Sequence, residues 1–240
     1  MGVLIWSDNS REQLAPVLGH AVVVLPIGAT EQHGPHLPTR TDILVAERVV
    51  RRAADIAGAA PDVDVIVAPS LPFGASEHHL RYGGTLSLSS ATLLAVLEDL
   101  IDSLEVQGCR RLVIVNGHGG NRGALRAAAS GADAREGITV AAVDYWDAAT
   151  DVAPGHAGRV ETSFVLALEP DLVRSPPRRD NPPTIPSLRA GTYHGGWVWH
   201  HLDGFTDSPA DADAAAGAQM LDDVVEGLAE IIMSVAGMPG

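Results

Sequence analysis

The chain has 240 residues, 46% of them hydrophobic, with three Phe, three Tyr and four Trp, so its core must be aliphatic. A net charge of −14, with sixteen basic residues that are all Arg, argues against a nucleic-acid partner, because an acidic surface repels phosphate. The lone Cys109 excludes an internal disulfide. No apolar run is long enough to span a membrane, and "MGVLIWSDNSRE" does not read as a signal peptide, so the expected location is cytoplasmic.

In chain order, Val22 to Ile27 reads as a fully apolar strand of the parallel-sheet kind. Apolar residues at helical spacing predict a helix from Ile43 to Ala60, with Asp42 placed to cap it. Val63 to Ala68 reads as a strand, and "SLSSATLLAVLEDLIDSLEVQG" as a helix ending at Gly108. Then "RRLVIVN" reads as strand, "RGALRAAASGADARE" as helix and "ITVAAVDYW" as strand. This alternation predicts an α/β fold with a mainly parallel central sheet. Residues 174–190 carry five Pro and four Arg and read as an ordered loop or interface arm. The Gly- and aromatic-rich "GTYHGGWVWHHLDGFTDSP" suggests a hairpin, and Asp211 to Gly237 one amphipathic helix. With no repeat and no linker, residues 1–240 are expected to form a single domain.

Ligands of an open parallel sheet bind beyond the carboxyl ends of its strands. Two strands end there in polar clusters: Glu31, His33, His36 and Asp42 after the first, and Asn116, His118 and Asn121 in "VNGHGGN". His156 and Glu161 in "GHAGRVETS" and His78 and His79 in "SEHHLRYGGT" form two more. Carboxylate and imidazole ligands suit Zn²⁺, Mn²⁺ or Fe²⁺, and the absence of Cys from these clusters argues against a structural zinc finger. Each residue alone has a plainer reading. Asp42 is a possible helix cap, Glu161 a counter-charge to a helix dipole, and "GHGGN" a backbone phosphate cradle, though without the full nucleotide-binding spacing.

Taken in order, "GATEQHGPHLPTRTD", "HHLRYGGTLSL", "VNGHGGN" and "HAGRVETS", with the late "GFTDSPADADAAAG", resemble the creatininase family of metal-dependent amidohydrolases. The resemblance runs from about residue 20 to 217. It implies a three-layer α/β/α fold and two divalent ions, Zn, Fe or Mn. Glu31, Asp42 and His118 would hold one ion, and His33 and Asp42 the other, with Asp42 bridging. A water shared by the ions would supply the attacking hydroxide, and His156 would be the acid–base histidine.

The chain departs from the true creatininases at Gly120, where they carry an acidic ligand; the vacated coordination is assigned to Glu161, and the missing side chain is expected to open room. Arg159 replaces a commoner acidic residue and suits a substrate carboxylate. His36 and His79 are pocket or supporting candidates. Trp146, Trp197 or Trp199 would wall an aromatic pocket or simply pack in the core.

Within the family, the chain most resembles the branch that removes a C-terminal Val-Tyr-derived unit from a modified ribosomal precursor peptide. Alternatives are a small cyclic-amide hydrolase and a non-catalytic binding or assembly member. A homo-oligomer, with a hexamer built from dimers as one form, is the expected assembly.

Overall fold

In the computed structural model, residues 2–186, 188 and 195–239 are described. Five strands, β1 (Val3–Ile5), β2 (Val22–Ile27), β3 (Val65–Val67), β4 (Arg111–Asn116) and β5 (Thr139–Asp144), form one sheet in the order β1-β3-β2-β4-β5. Every neighbouring pair is parallel.

Both faces of the sheet are covered, which explains why β2 is buried at all six positions. Val22 and Val24 point to one side and Val23, Leu25 and Ile27 to the other, following the two-residue period of a strand. The first side packs against α2 (Thr41–Ala57), α5 (Arg159–Leu168) and α7 (Ala214–Ala236). The second packs against α1 (Arg11–Leu18), α3 (Ser90–Val106) and α4 (Arg122–Gly131). The result is the expected α/β architecture, with helices on both sides of a parallel sheet.

The chain leaves β2 through α2 to reach β3 on one side, then crosses back through α3 to β4 on the other. Strand order therefore reverses between β2 and β4, and a crevice opens beyond their carboxyl ends. Helix α2 starts inside that crevice. A Cβ at Gly28 would stand 2.5 Å from Ile43 N, and one at Gly117 2.5 Å from Asp42 O. These two glycines, one after each central strand, let the first turn of α2 sit against both strand ends.

Two expectations change. Asp42 is the second residue of α2 rather than a cap, because the helix begins earlier, at Thr41. The segment read as a hairpin contains α6 (Gly196–Leu202), closed by Asp203 in a left-handed conformation at φ 51°; its residues 191–194 lie outside the described residues. The stretch 174–186 forms no helix or strand, as its prolines dictate, while 187, 189 and 190 of the expected arm lie outside the described residues.

Candidate metal centre

Beyond β2 and β4 the chain collects carboxylates and imidazoles from five separate segments. Glu31 and His33 come from the loop after β2, Asp42 from α2, and His79 from the loop after β3. His118 follows β4, and His156 and Glu161 lie before and inside α5. All seven are buried. Asp42 stands between two histidines, with Oδ1 2.9 Å from His33 Nε2 and Oδ2 3.0 Å from His118 Nδ1. Glu31 Oε1 faces three imidazole nitrogens: His118 Nδ1 at 3.4 Å, His156 Nδ1 at 3.4 Å and His79 Nε2 at 3.5 Å. Glu161 Oε2 reaches within 3.8 Å of His33 Nε2 and accepts the Ala157 N–H at 2.5 Å.

The loops are held rigidly. Asn116 Nδ2 donates to the His118 carbonyl at 2.7 Å, while its Oδ1 accepts the His118 N–H at 3.0 Å. Asn121 joins three strand-end loops: its Oδ1 accepts the Ala75 N–H and its Nδ2 donates to the Gly28 carbonyl and to Asn116. The two asparagines of "VNGHGGN" thus aim His118, as an outer shell must if a ligand is to hold its direction.

Burial dominates the electrostatics. It would depress His33 and His118, but the Asp42 and Glu31 carboxylates beside them outweigh it and raise them to about 10 and about 9. Asp42 is pushed up by burial and pulled down harder by His33 and His118, ending well below the usual carboxylate range. Burial, with the Asp42 charge nearby, raises Glu161 to about 8 and raises Glu31 as well. His156 and His79 are kept neutral, first by burial and then by cationic neighbours; His79 falls to about 2.

The donor set fits a cation. Glu31 Oε1 and Oε2, Asp42 Oδ2 and His79 Nε2 are buried without a hydrogen-bond partner, although nitrogens stand close to several of them. Leaving a buried polar atom unpaired costs ~1–3 kcal/mol, more when it is charged. Four such atoms at one point indicate a partner of another kind. Three constellations bring ligand atoms within 4.8 Å of one another: His33, Asp42 and Glu161; Glu31, His33 and His156; and Glu31, His78 and His118.

Other candidates fall elsewhere. His36 is buried beside this centre and bonds Thr162 Oγ1 at 2.9 Å, with burial, then His33, lowering it to about 4. Arg159 opens α5 with an exposed side chain, and its N–H donates to Asp207 Oδ1 at 2.7 Å. Trp146 belongs to the core instead of a pocket wall: its ring meets Tyr145 edge-on at 5.0 Å and lies under Arg122. The indole laid on the histidines is Trp199, 4.3 Å from His79, 4.9 Å from His156 and 5.3 Å from His78. Trp197 is half exposed.

Gly120 does not open room. A Cβ there would collide with the Ala75 carbonyl oxygen and His118 Nε2, so the space is already filled by the His118 ring and the carbonyl beside it. The amide of Gln32, which bridges His79 and His156, had no signal in the sequence beyond its place between Glu31 and His33.

A parallel α/β sheet with buried carboxylates and imidazoles at its switch point defines a metal-dependent hydrolase class, and comparison with known proteins gives the family. Residues 9–232 match the family described as creatininase, creatinine amidohydrolase. The chain belongs to the creatininase family, metal-dependent amidohydrolases that act on amide C–N bonds. It is 37% identical over 235 residues to the mycofactocin precursor peptide peptidase of Mycobacterium tuberculosis (strain CDC 1551 / Oshkosh), covering 90% of this chain and 88% of that one. It is 33% identical over 211 residues to the creatinine amidohydrolase of Pseudomonas putida, covering 76% of each. The crystal structure of a putative creatinine amidohydrolase from Bacteroides fragilis NCTC 9343 superposes with a TM-score of 0.81 at 28% identity, over 98% of this chain and 97% of that one.

Proposed function

We propose that this protein is a metallopeptidase that releases the C-terminal Val-Tyr-derived unit from a modified ribosomal precursor peptide. The observation that carries its chemistry is Asp42, whose two oxygens face separate ligand sets. Glu31, Asp42 and His118 would hold one divalent ion, and His33, Asp42 and Glu161 the second. Zinc, iron and manganese all accept this oxygen and nitrogen donor set. Such ions bring the pKa of water towards neutrality and polarise a carbonyl.

The chain's own residues do the rest. His156, neutral and buried, hands a proton to the leaving amide nitrogen and recovers one from the attacking water. Glu161, whose Oε2 accepts the Ala157 N–H and faces His33, is held in place for the second ion and assists the chemistry as its carboxylate. Trp199 roofs the histidines and keeps water from them. The Arg159 guanidinium, exposed two residues before Glu161, takes the free carboxylate of the peptide's C-terminus as a bidentate partner. His36, through Thr162, shores up the wall behind α5.

Higher identity to the peptidase than to the creatinine hydrolase supports the peptide substrate. So does Gly120, where no carboxylate of the creatininase kind fits. The cyclic-amide reading is the weaker second. A cytoplasmic homo-oligomer is part of the proposal; among the described residues no helix is long and apolar enough to cross a membrane. Turnover of the modified peptide and of creatinine, measured side by side with Glu31→Ala as control, tests the reading. Faster creatinine turnover would replace it with the cyclic-amide one, and full activity in Glu31→Ala would remove the metal centre from the chemistry.

A further inference from the structure

Four buried imidazoles surround the Glu31 and Asp42 carboxylates, and their outer nitrogens face two kinds of partner. His33 Nδ1 lies 3.2 Å from the Glu31 carbonyl oxygen, and His118 Nε2 lies 3.2 Å from the Ala75 carbonyl oxygen. A carbonyl oxygen only accepts, so each of these outer nitrogens carries hydrogen. In the neutral ring the inner nitrogen is then a bare lone pair aimed at Asp42, fit for a cation.

His79 Nδ1 and His156 Nε2 face Gln32 Nε2 instead, both at 2.9 Å. The orientation of that amide is fixed from outside. Gly34 N–H donates to Gln32 Oε1 at 2.9 Å, and Gln32 Nε2 donates to the Gly204 carbonyl at 2.9 Å. An amide nitrogen cannot accept a hydrogen bond, so the outer nitrogens of His79 and His156 are both lone pairs sharing the amide's second hydrogen. Their inner nitrogens, His79 Nε2 and His156 Nδ1, therefore carry hydrogen. Both point at Glu31 Oε1, at 3.5 and 3.4 Å, and His79 Nε2 is buried with no hydrogen-bond partner.

We propose that Gln32 is a positioning residue that sorts the four histidines into two ligands, His33 and His118, and two N–H donors, His156 and His79, with His79 Nε2–H offered to a substrate oxygen. The stacked His79 and His156 rings, 4.2 Å apart, place the two donors side by side under Trp199. One donor serves the leaving nitrogen, and the other serves the carbonyl oxygen where charge develops. The naming of the ligands rests on the metal-centre reading above, whereas the tautomers rest on Gln32 alone.

The test is long-range proton–nitrogen correlation spectroscopy of isotope-labelled histidine in the zinc-loaded protein, with His79→Asn and His156→Asn to assign the rings. The expected spectrum has hydrogen-free outer nitrogens, His79 Nδ1 and His156 Nε2, and protonated inner ones. Gln32→Glu offers an acceptor in place of the donor and should reverse both tautomers. Gln32→Met removes the donor and should leave a mixture. In both variants kcat should fall about tenfold or more while zinc content stays at the wild-type level.

A wild-type spectrum with hydrogen on His79 Nδ1 or His156 Nε2 overturns the proposal, and needs no variant to fold. Tautomers unmoved in folded Gln32→Glu overturn it as well. Correct tautomers in a protein that takes up no zinc would sink the metal centre and leave the sorting by Gln32 intact. Full zinc occupancy with reversed tautomers would do the opposite.

Discussion

Replacing Asp42 by Asn should abolish the thermal stabilisation that divalent metal gives this protein, because both proposed ligand sets share that one carboxylate. In the metal-free protein, protons on His33 and His118 offset the buried carboxylates, with these histidines raised to about 10 and about 9. Groups with raised folded pKa values contribute stability that is fully present below their unfolded value near 6.5 and lost as pH rises through the folded one. Glu161, raised to about 8, also costs stability as pH climbs from its unfolded value of 4.5 towards the folded one. Between pH ~6 and ~9 the metal-free protein should therefore lose stability, while a bound cation replaces those protons.

Zinc at about a thousandfold excess over its Kd should add ~4 kcal/mol. At about 2–4 °C per kcal/mol for a chain of this size, that raises Tm by about 8–16 °C. The gain should be larger at high pH than at low. The assay is thermal unfolding by circular dichroism at several pH values, with chelator or with zinc, on wild type, Asp42→Asn and Glu161→Gln. Asp42→Asn should show almost no zinc-dependent shift, and Glu161→Gln, which touches one set only, part of it. A wild-type shift in Asp42→Asn, or a zinc effect that shrinks as pH rises, would refute the reasoning.

Three further outcomes follow from the same geometry. His156→Asn should lower kcat by about a hundredfold or more with zinc content unchanged by elemental analysis, since a positioned proton donor contributes about that much; loss of zinc instead would make His156 a ligand. Gly120→Ala should destabilise by about 1–3 kcal/mol in urea titration, because the new Cβ meets the Ala75 carbonyl and the His118 ring; a neutral result would mean that the space is open. Trp199→Ala should raise KM more than it lowers kcat, since the indole covers His79 and His156; the reverse split would give it a part in the chemical step.

Much of the fold was legible because the sheet is buried on both faces. The unbroken apolar run of β2 and the helical spacing of α2, α3 and α7 leave little choice. Element ends were read less well. Asp42 looked like a cap because it precedes the first apolar residue of α2, yet its carboxylate turns away from the backbone to His33 and His118. The segment around "WVWHH" suggested a hairpin through its Gly and aromatic content, but it holds a seven-residue helix stopped by Asp203, whose left-handed conformation has no strong sequence signature.

Candidate ligands could be picked from their chemistry, since two carboxylates and several histidines followed strands and Glu161 lay close to His156. Their convergence could not, because Glu31, His79, His118 and His156 meet only through the strand order around β2 and β4. Trp146 and Trp199 were indistinguishable as letters; packing sent one to the core and the other onto the histidines. Gly120 read as missing bulk and therefore as space, whereas the His118 ring and its carbonyl support occupy that place.

The most direct test of the central claim is mass spectrometry of a modified precursor peptide ending in the crosslinked Val-Tyr unit, incubated with metal-loaded protein with and without chelator. Release of the C-terminal fragment in the metal-loaded sample alone is the predicted result. An intact peptide beside protein whose metal content has been verified would contradict it.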